Sequence, residues 1–255
     1  MSQNHGAADR IEFVQVSGRG PLNILGRATF TQLSARLDEL EANPKTRAII
    51  ISGTDDGVFS AGMDLLEMKD MTPAQAESLM RLLHQVARKV FTMTVPTIAA
   101  IRGYCLGYAL ELVLACDIRV AGEDAQLGLP EVRVGIPSVI EASLLPKTIG
   151  LGRARHLLLT GNLVNAQEAF EMGLVDRVVP PGEVTKTATE LAEGLLGISR
   201  DVLASQKEIV AKWLEVSEEE STEFSIQAFI QRFKTSQPKE AMEAYLEKRP
   251  PRFEE

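Results

Sequence analysis

The segment TIAAIRGYCLGYALELVLACDIRVA, residues 97–121, decides the fold. Thr97 to Ile101 is a short, almost wholly apolar run with the length of a buried strand. A helix is expected over about Gly107 to Ala115, and it is apolar nearly all round, which places it in an interior. Ile118 to Ala121 reads as strand again. A strand, a crossover helix and a second strand form a unit whose strands pair in parallel.

The same alternation extends upstream. Ile11 to Ser17 alternates apolar and polar residues like a half-buried strand, and Gly18-Arg19-Gly20-Pro21 turns the chain. Phe30, Leu33, Leu37 and Leu40 recur at helical spacing, and Pro44 marks the exit from that helix. Arg47 to Ser52 contains the buried-strand run Ala48-Ile49-Ile50-Ile51. A loop from Gly53 to Ser60 leads to a short helix from about Asp64, and Pro73 opens a long helix reaching roughly to Phe91. These elements predict an α/β architecture with largely parallel pairing. Past about Ser138 the texture turns helical, over Arg153 to Leu159, Ala166 to Glu171, Ala188 to Leu196 and nearly everything after Val202. The expected organisation is a core over 11–190 and a helical C-terminal region over 191–255. The polar start, 1–10, lacks the apolar core of a signal peptide and is expected to be disordered.

The chain has 255 residues, 45% hydrophobic and 24% charged, enough for one large domain or one with a small appendage. A net charge of −8 gives no global attraction for nucleic acid or anionic membranes. No apolar run approaches the roughly 20 residues of a membrane span. Cys105 and Cys116 sit in apolar runs without a C-x-x-C pair, and read as reduced core thiols of a cytoplasmic protein. His5, His84 and His156 have no metal-binding spacing, so no metal is expected. The motifs of zinc hydrolases, serine hydrolases and P-loop enzymes are absent, and Pro21 stops the only approach to a dinucleotide-binding fingerprint.

Glu111 lies in the middle of the apolar helix. An ionised carboxylate removed from water costs several kcal/mol unless it is paired or hydrogen-bonded. It is therefore either a structural acid, paired with an arginine or facing a solvated cleft, or an acid/base whose pKa is raised by its setting. Glu131, after Gly128-Leu129-Pro130, reads on its own as a surface acid in a loop. Asp64 reads as the cap of a short helix, and Asp117 as structural. The loop Gly57 to Leu65 is rich in small residues and opens a helix, as Gly107 opens another. Free N–H groups at two such starts, aimed at one point, would make an oxyanion hole.

Several ordered segments together resemble the crotonase family, also called the enoyl-CoA hydratase/isomerase family. They are Phe59-Ser60-Ala61-Gly62-Met63-Asp64-Leu65, Ile101-Arg102-Gly103-Tyr104 through Cys116-Asp117-Ile118, and Ala125-Gln126-Leu127-Gly128-Leu129-Pro130-Glu131. Gly150-x-Gly152-Arg153-Ala154, Leu159-Thr160-Gly161, Ala166-x-x-Ala169, Gly173-Leu174-Val175, Lys239-Glu240-Ala241-Met242 and Tyr245 to Arg249 continue the likeness from about Ile11 almost to the end. The resemblance implies a spiral of repeated strand-strand-helix turns with a helical C-terminal region. It implies a homotrimer or homohexamer acting on an acyl-CoA thioester in fatty acid metabolism, with no separate cofactor, because coenzyme A is part of the substrate. By motif position, Met63 and Tyr108 supply the oxyanion-hole N–H groups. Glu111 and Glu131 match the two glutamates that hold a water in family hydratases. Glu131 would protonate the α carbon while Glu111 positions and deprotonates the water. Ala61, Gly62, Asp64, Leu65 and Gly107 fall in the substrate-binding segments.

The chain departs from the family pattern at three places. Tyr108 stands in a run that is usually glycine-rich, and its bulky side chain is expected to narrow the acyl pocket. Ser138-Val139-Ile140-Glu141-Ala142 replaces another glycine-rich segment, so Glu141 is either a helix-start acid or a third carboxylate near the substrate. Leu65-Leu66 follow Asp64 where a lysine is common. The two acids favour an enoyl-CoA hydratase. A double-bond isomerase, a thioester hydrolase, a carbon–carbon cleaving enzyme and a non-catalytic acyl-CoA binder are the alternatives.

Overall fold

Residues 10–54 and 57–253 are described in the computed structural model of the chain. The start expected to be disordered lies, apart from Arg10, outside the described residues. The strands are β1 (Ile11–Gln15), β2 (Ala48–Ser52), β3 (Thr97–Ile101), β4 (Tyr104–Leu106), β5 (Ile118–Gly122), β6 (Gln126–Gly128), β7 (Leu163–Asn165) and β8 (Arg177–Val179). The helices are α1 (Arg27–Ala42), α2 (Leu65–Met68), α3 (Pro73–Thr92), α4 (Tyr108–Leu114), α5 (Leu145–Ile149) and α6 (Leu151–Thr160). They continue with α7 (Ala166–Glu171), α8 (Val184–Leu195), α9 (Arg200–Glu215), α10 (Glu218–Arg232) and α11 (Gln237–Leu246).

The parallel pairing expected from the crossover units is present. One sheet has the order β1-β2-β3-β5-β8, and each of its pairs is parallel. Alternate residues feed two cores. Ile49, Ile51, Ala99 and Ile101 join Phe30, Leu37, Leu83 and Val113 from α1, α3 and α4. Ala48, Ile50, Ile98 and Ala100 meet Val184, Ala188 and Ala192 of α8 on the opposite face. A strand covered on both faces must be apolar at every position, which is why β2 and β3 read as unbroken runs. The helix that crosses residue 190 is thus the cover of the sheet's second face.

The second sheet runs β4-β6-β7, with β6 parallel to β4 and antiparallel to β7. It arises because each turn of the chain lays one strand in each sheet before entering a helix. β3 passes through Arg102-Gly103 into β4 and then α4, and β5 leads to β6 and a 3₁₀ turn at Pro130–Val134. After β2 the second strand shrinks to one residue, Ser60, which bridges Cys105 in parallel. This is the spiral of strand-strand-helix turns that the resemblance implied. β4, β6, β7 and β8 were not expected, since a three-residue strand is too short to display a periodicity.

In the C-terminal region α9 packs on α3 and on α10. α10 leaves Ile226 and Phe229 exposed, with Phe233 directly after it. Among the described residues no helix is long and apolar enough to cross a membrane.

Candidate active site

The site begins where two loops are zipped together. Ser60 N–H donates to Tyr104 O at 2.7 Å, and Leu106 N–H donates to Ser60 O at 3.0 Å. The segments run parallel, and three places beyond the Ser60–Cys105 bridge Met63 and Tyr108 line the same cavity. Gly62 allows this approach: its φ is +102°, and a Cβ there would stand 3.1 Å from Leu106 O. Asn23, fully buried, fixes the loops from below. Its Nδ2 donates to Val16 O at 2.8 Å and Phe59 O at 2.6 Å, and its carbonyl accepts from Ser60 Oγ at 2.7 Å.

Both expected donors are unengaged. Leu25 N–H donates to Gly62 O and Asp64 N–H donates to Leu25 O, each at 2.9 Å. In such a parallel bridge the N–H of the intervening residue, Met63, points away from Leu25. Tyr108 is the first residue of α4, where a helix has no internal acceptor for the N–H. Neither N–H has a hydrogen-bond partner among the described residues.

The two expected acids come together at the same place. Glu111 is 3% exposed on α4, and its Oε2 has no hydrogen-bond partner among the described residues. Loss of water pushes its carboxyl up to about 8, and the neighbouring charges of Glu131 and then Glu141 add to the effect. The N–H groups of Ala142 and Glu141 pull in the other direction. Glu131 sits in the 3₁₀ turn Pro130–Val134, where its Oε2 accepts from Ser138 Oγ at 2.7 Å. Its Oε1 lies over Gly107, at the start of the helix that carries Glu111.

Glu111, Glu131, Met63 and Tyr108 all line one cavity of about 540 Å³. Ala61, Gly62, Asp64, Leu65 and Gly107 line it too. Met68, Met80, Leu83 and Ile136 make much of the remaining wall apolar. Asp64 is the cap it was read as: its Oδ1 accepts from Leu66 N–H at 3.0 Å, and it also pairs with Arg19. The ring of Tyr108 goes into the core, edge-on to Phe30 at 4.9 Å, and its hydroxyl donates to Leu83 O at 2.7 Å. Burial raises the hydroxyl's pKa, so the group stays neutral. The bulk of this side chain therefore lies between α1 and α3.

Glu141 departs from the expectation of a third carboxylate beside the substrate. It is not in the cavity wall. Its Oε1 is 2.8 Å from His84 Nδ1, and the two line a separate, outer cavity. Four residues of the site were not anticipated: Asn23, Arg19, Ser138 and His84. Arg19 carried a weak signal, as the one charge in a glycine-rich turn. Asn23 and His84 acquire partners from segments distant in sequence, Phe59 and Glu141, while Ser138 meets Glu131 seven residues away through the turn between them.

The arrangement combines two neighbouring carboxyls and two unengaged N–H groups in a largely apolar enclosure. Such a site can polarise a carbonyl and exchange protons with atoms beside it. A profile of the enoyl-CoA hydratase/isomerase family matches residues 7–255. The short-chain-enoyl-CoA hydratase of Clostridium acetobutylicum is 31% identical over 241 residues, covering 94% of this chain and 92% of that protein. The crotonyl-CoA hydratase of Syntrophomonas wolfei is 30% identical over 246 residues, covering 96% and 95%. The crystal structure of an enoyl-CoA hydratase from Bacillus anthracis superposes with a TM-score of 0.88 at 33% identity, covering 94% of this chain and 95% of that one.

Proposed function

The chain belongs to the enoyl-CoA hydratase/isomerase family, and on that premise we propose that it adds water across the α,β double bond of an enoyl-CoA thioester. The observation that carries this reading is the pair Glu111 and Glu131 facing one cavity beside two unengaged N–H groups. An isomerase needs one base; a hydratase needs two groups to hold and split a water.

In the proposed mechanism the N–H groups of Met63 and Tyr108 bind the thioester oxygen. They stabilise the enolate-like charge that develops there, a contribution of about 3–4 kcal/mol for a single donor in comparable sites. Glu111 takes a proton from the water as its oxygen attacks the β carbon, and Glu131 gives a proton to the α carbon. The pair gains one proton and loses one, so its total is unchanged. Burial favours the proton on Glu111, the state the site reaches after hydration. That same state starts the reverse reaction, in which Glu131 removes the α proton and Glu111 protonates the departing hydroxide. The hydration direction requires the single proton to reside on Glu131, and a water between the carboxyls can carry it there.

The assembly expected from the resemblance, a homotrimer or homohexamer, is supported by the exposed apolar residues Ile226, Phe229 and Phe233. A cytoplasmic setting is supported by the free, buried thiols Cys105 and Cys116. A role in fatty acid metabolism follows from the substrate class.

The deciding experiment incubates the protein with a panel of enoyl-CoA thioesters beginning with crotonyl-CoA, and follows products by mass and NMR. A 3-hydroxyacyl-CoA is the expected product. Double-bond migration without water addition would assign the isomerase reaction, and recovery of unchanged thioester would leave only a binder.

A further inference from the structure

The 3₁₀ turn Ile140–Leu144 packs against both α3 and α4, and its residues have no part in the mechanism above. Ile140 holds φ +43°. A left-handed backbone costs a branched residue about 1–3 kcal/mol and persists only where the surroundings impose it. Glu141 follows, 6% exposed, with Oε1 on His84 Nδ1 and Oε2 buried without a hydrogen-bond partner. The turn packs on α4, which carries Glu111, while Ile140 lines the catalytic cavity. One strained turn thus touches the cavity, the helix that carries the proposed base and a histidine on α3.

We propose that Glu141, pinned by His84, is a positioning residue for Glu111. The pin holds the turn in its left-handed form, which keeps it packed on α4, the helix that carries Glu111, and keeps Ile140 in the cavity wall. The inference deepens the two-glutamate reading and rests on it. Several groups bear on Glu141. His84 and Arg88 come from α3, and Glu111 and Tyr108 come from α4. Lys147 of α5 and Glu215 of α9 line the outer cavity, where Arg88 pairs with Glu215. Burial raises the Glu141 carboxyl while His84 holds it down, and its negative charge raises Glu111 in turn. His84 is half exposed and can be replaced without opening a cavity in the core.

The test separates charge from position. In protein labelled with ¹³C-carboxyl glutamate, the Glu111 resonance is assigned with Glu111→Gln and titrated by NMR. Glu141→Gln keeps the hydrogen bond and removes the charge, so Glu111 should titrate about one pH unit lower. His84→Ala removes the pin. It should lower kcat on crotonyl-CoA roughly ten- to hundredfold through misplacement of the base, with KM little changed. His84→Gln, which restores a donor, should recover most of that loss, and His84→Ala combined with Glu141→Ala should be no worse than either alone. An unmoved Glu111 titration in Glu141→Gln, or wild-type kcat in folded His84→Ala, overturns the proposal. If the wild type adds water to no enoyl-CoA, the hydratase reading fails by itself, and the NMR titration still decides whether Glu141 acts on Glu111.

Discussion

Glu131 Oε1 occupies the space in which a side chain at position 107 would begin, 2.7 Å from where a Cβ would stand. Gly107 also holds φ +59° and ψ −132°, a backbone that other residues rarely adopt. Gly107→Ala therefore strains the chain and displaces a carboxylate together. Because the carboxylate ends a flexible side chain, it moves, and a shift of about an ångström at a reacting group can cost about a hundredfold in rate. We expect a loss of that order in kcat and a stability loss of about 1–3 kcal/mol, read by steady-state kinetics and thermal melting. Unchanged kcat in the folded variant would show that the Glu131 position beside Gly107 is immaterial to the chemistry.

Glu111→Gln and Glu131→Gln should each lower kcat for hydration by about 10²–10⁴-fold, because glutamine keeps the size but cannot exchange a proton. The double variant should lose little more than either single one, since in the proposed mechanism both serve the same addition step. Calorimetry with a saturated acyl-CoA should show binding largely retained. Persistence of double-bond migration in Glu111→Gln alone, with no hydration in the wild type, would instead identify an isomerase.

In the proposed mechanism the pair works only while it holds one proton. As pH rises through about 8, the proton favoured by Glu111 is lost, and kcat/KM for crotonyl-CoA should fall above that point. A rate that keeps rising from pH 8 to 10 would contradict the shared proton.

Stability should carry the same signature. Glu111 has a folded-state pKa of about 8, raised above its ordinary value of 4.5. Its contribution to stability is complete below 4.5 and is lost as pH rises through about 8. Glu111→Gln removes that dependence. It should be more stable than the wild type at pH 8.5, by on the order of a few kcal/mol, and the difference should shrink towards pH 5. Parallel denaturant unfolding at the two pH values measures it; equal differences at both would show that Glu111 is not held protonated by burial.

Glu111 is legible in the sequence because an acid inside an apolar helix must be either paired or put to use. The large sheet is legible for a related reason: β2 and β3, covered on both faces, have no polar positions to blur them. Glu131 is different. Its surroundings are made by Gly107 and Ser138, and without the family resemblance it looks like any loop acid. The second sheet escapes notice because its strands are three residues long and their partners lie one turn of the spiral away. Glu141 is recognisable as unusual, but not as the partner of His84, which lies 57 residues earlier. Contacts of that range are set by the packing of α3 and the 3₁₀ turn, and no local pattern records them.

The proposed carbonyl donors belong to the main chain, and the Ser60–Cys105 pairing and Asn23, rather than their own side chains, hold the loops that carry them. Their alignment is therefore indifferent to which residues occupy positions 63 and 108. Tyr108 illustrates the freedom this leaves: a large aromatic group has entered the core between α1 and α3 while its N–H stays unengaged. Selection for a new acyl group can act at these two positions, close to the reacting atoms, without dismantling the device that activates the thioester. Diversification of substrate range is thus separable from preservation of chemistry within the space of a few residues.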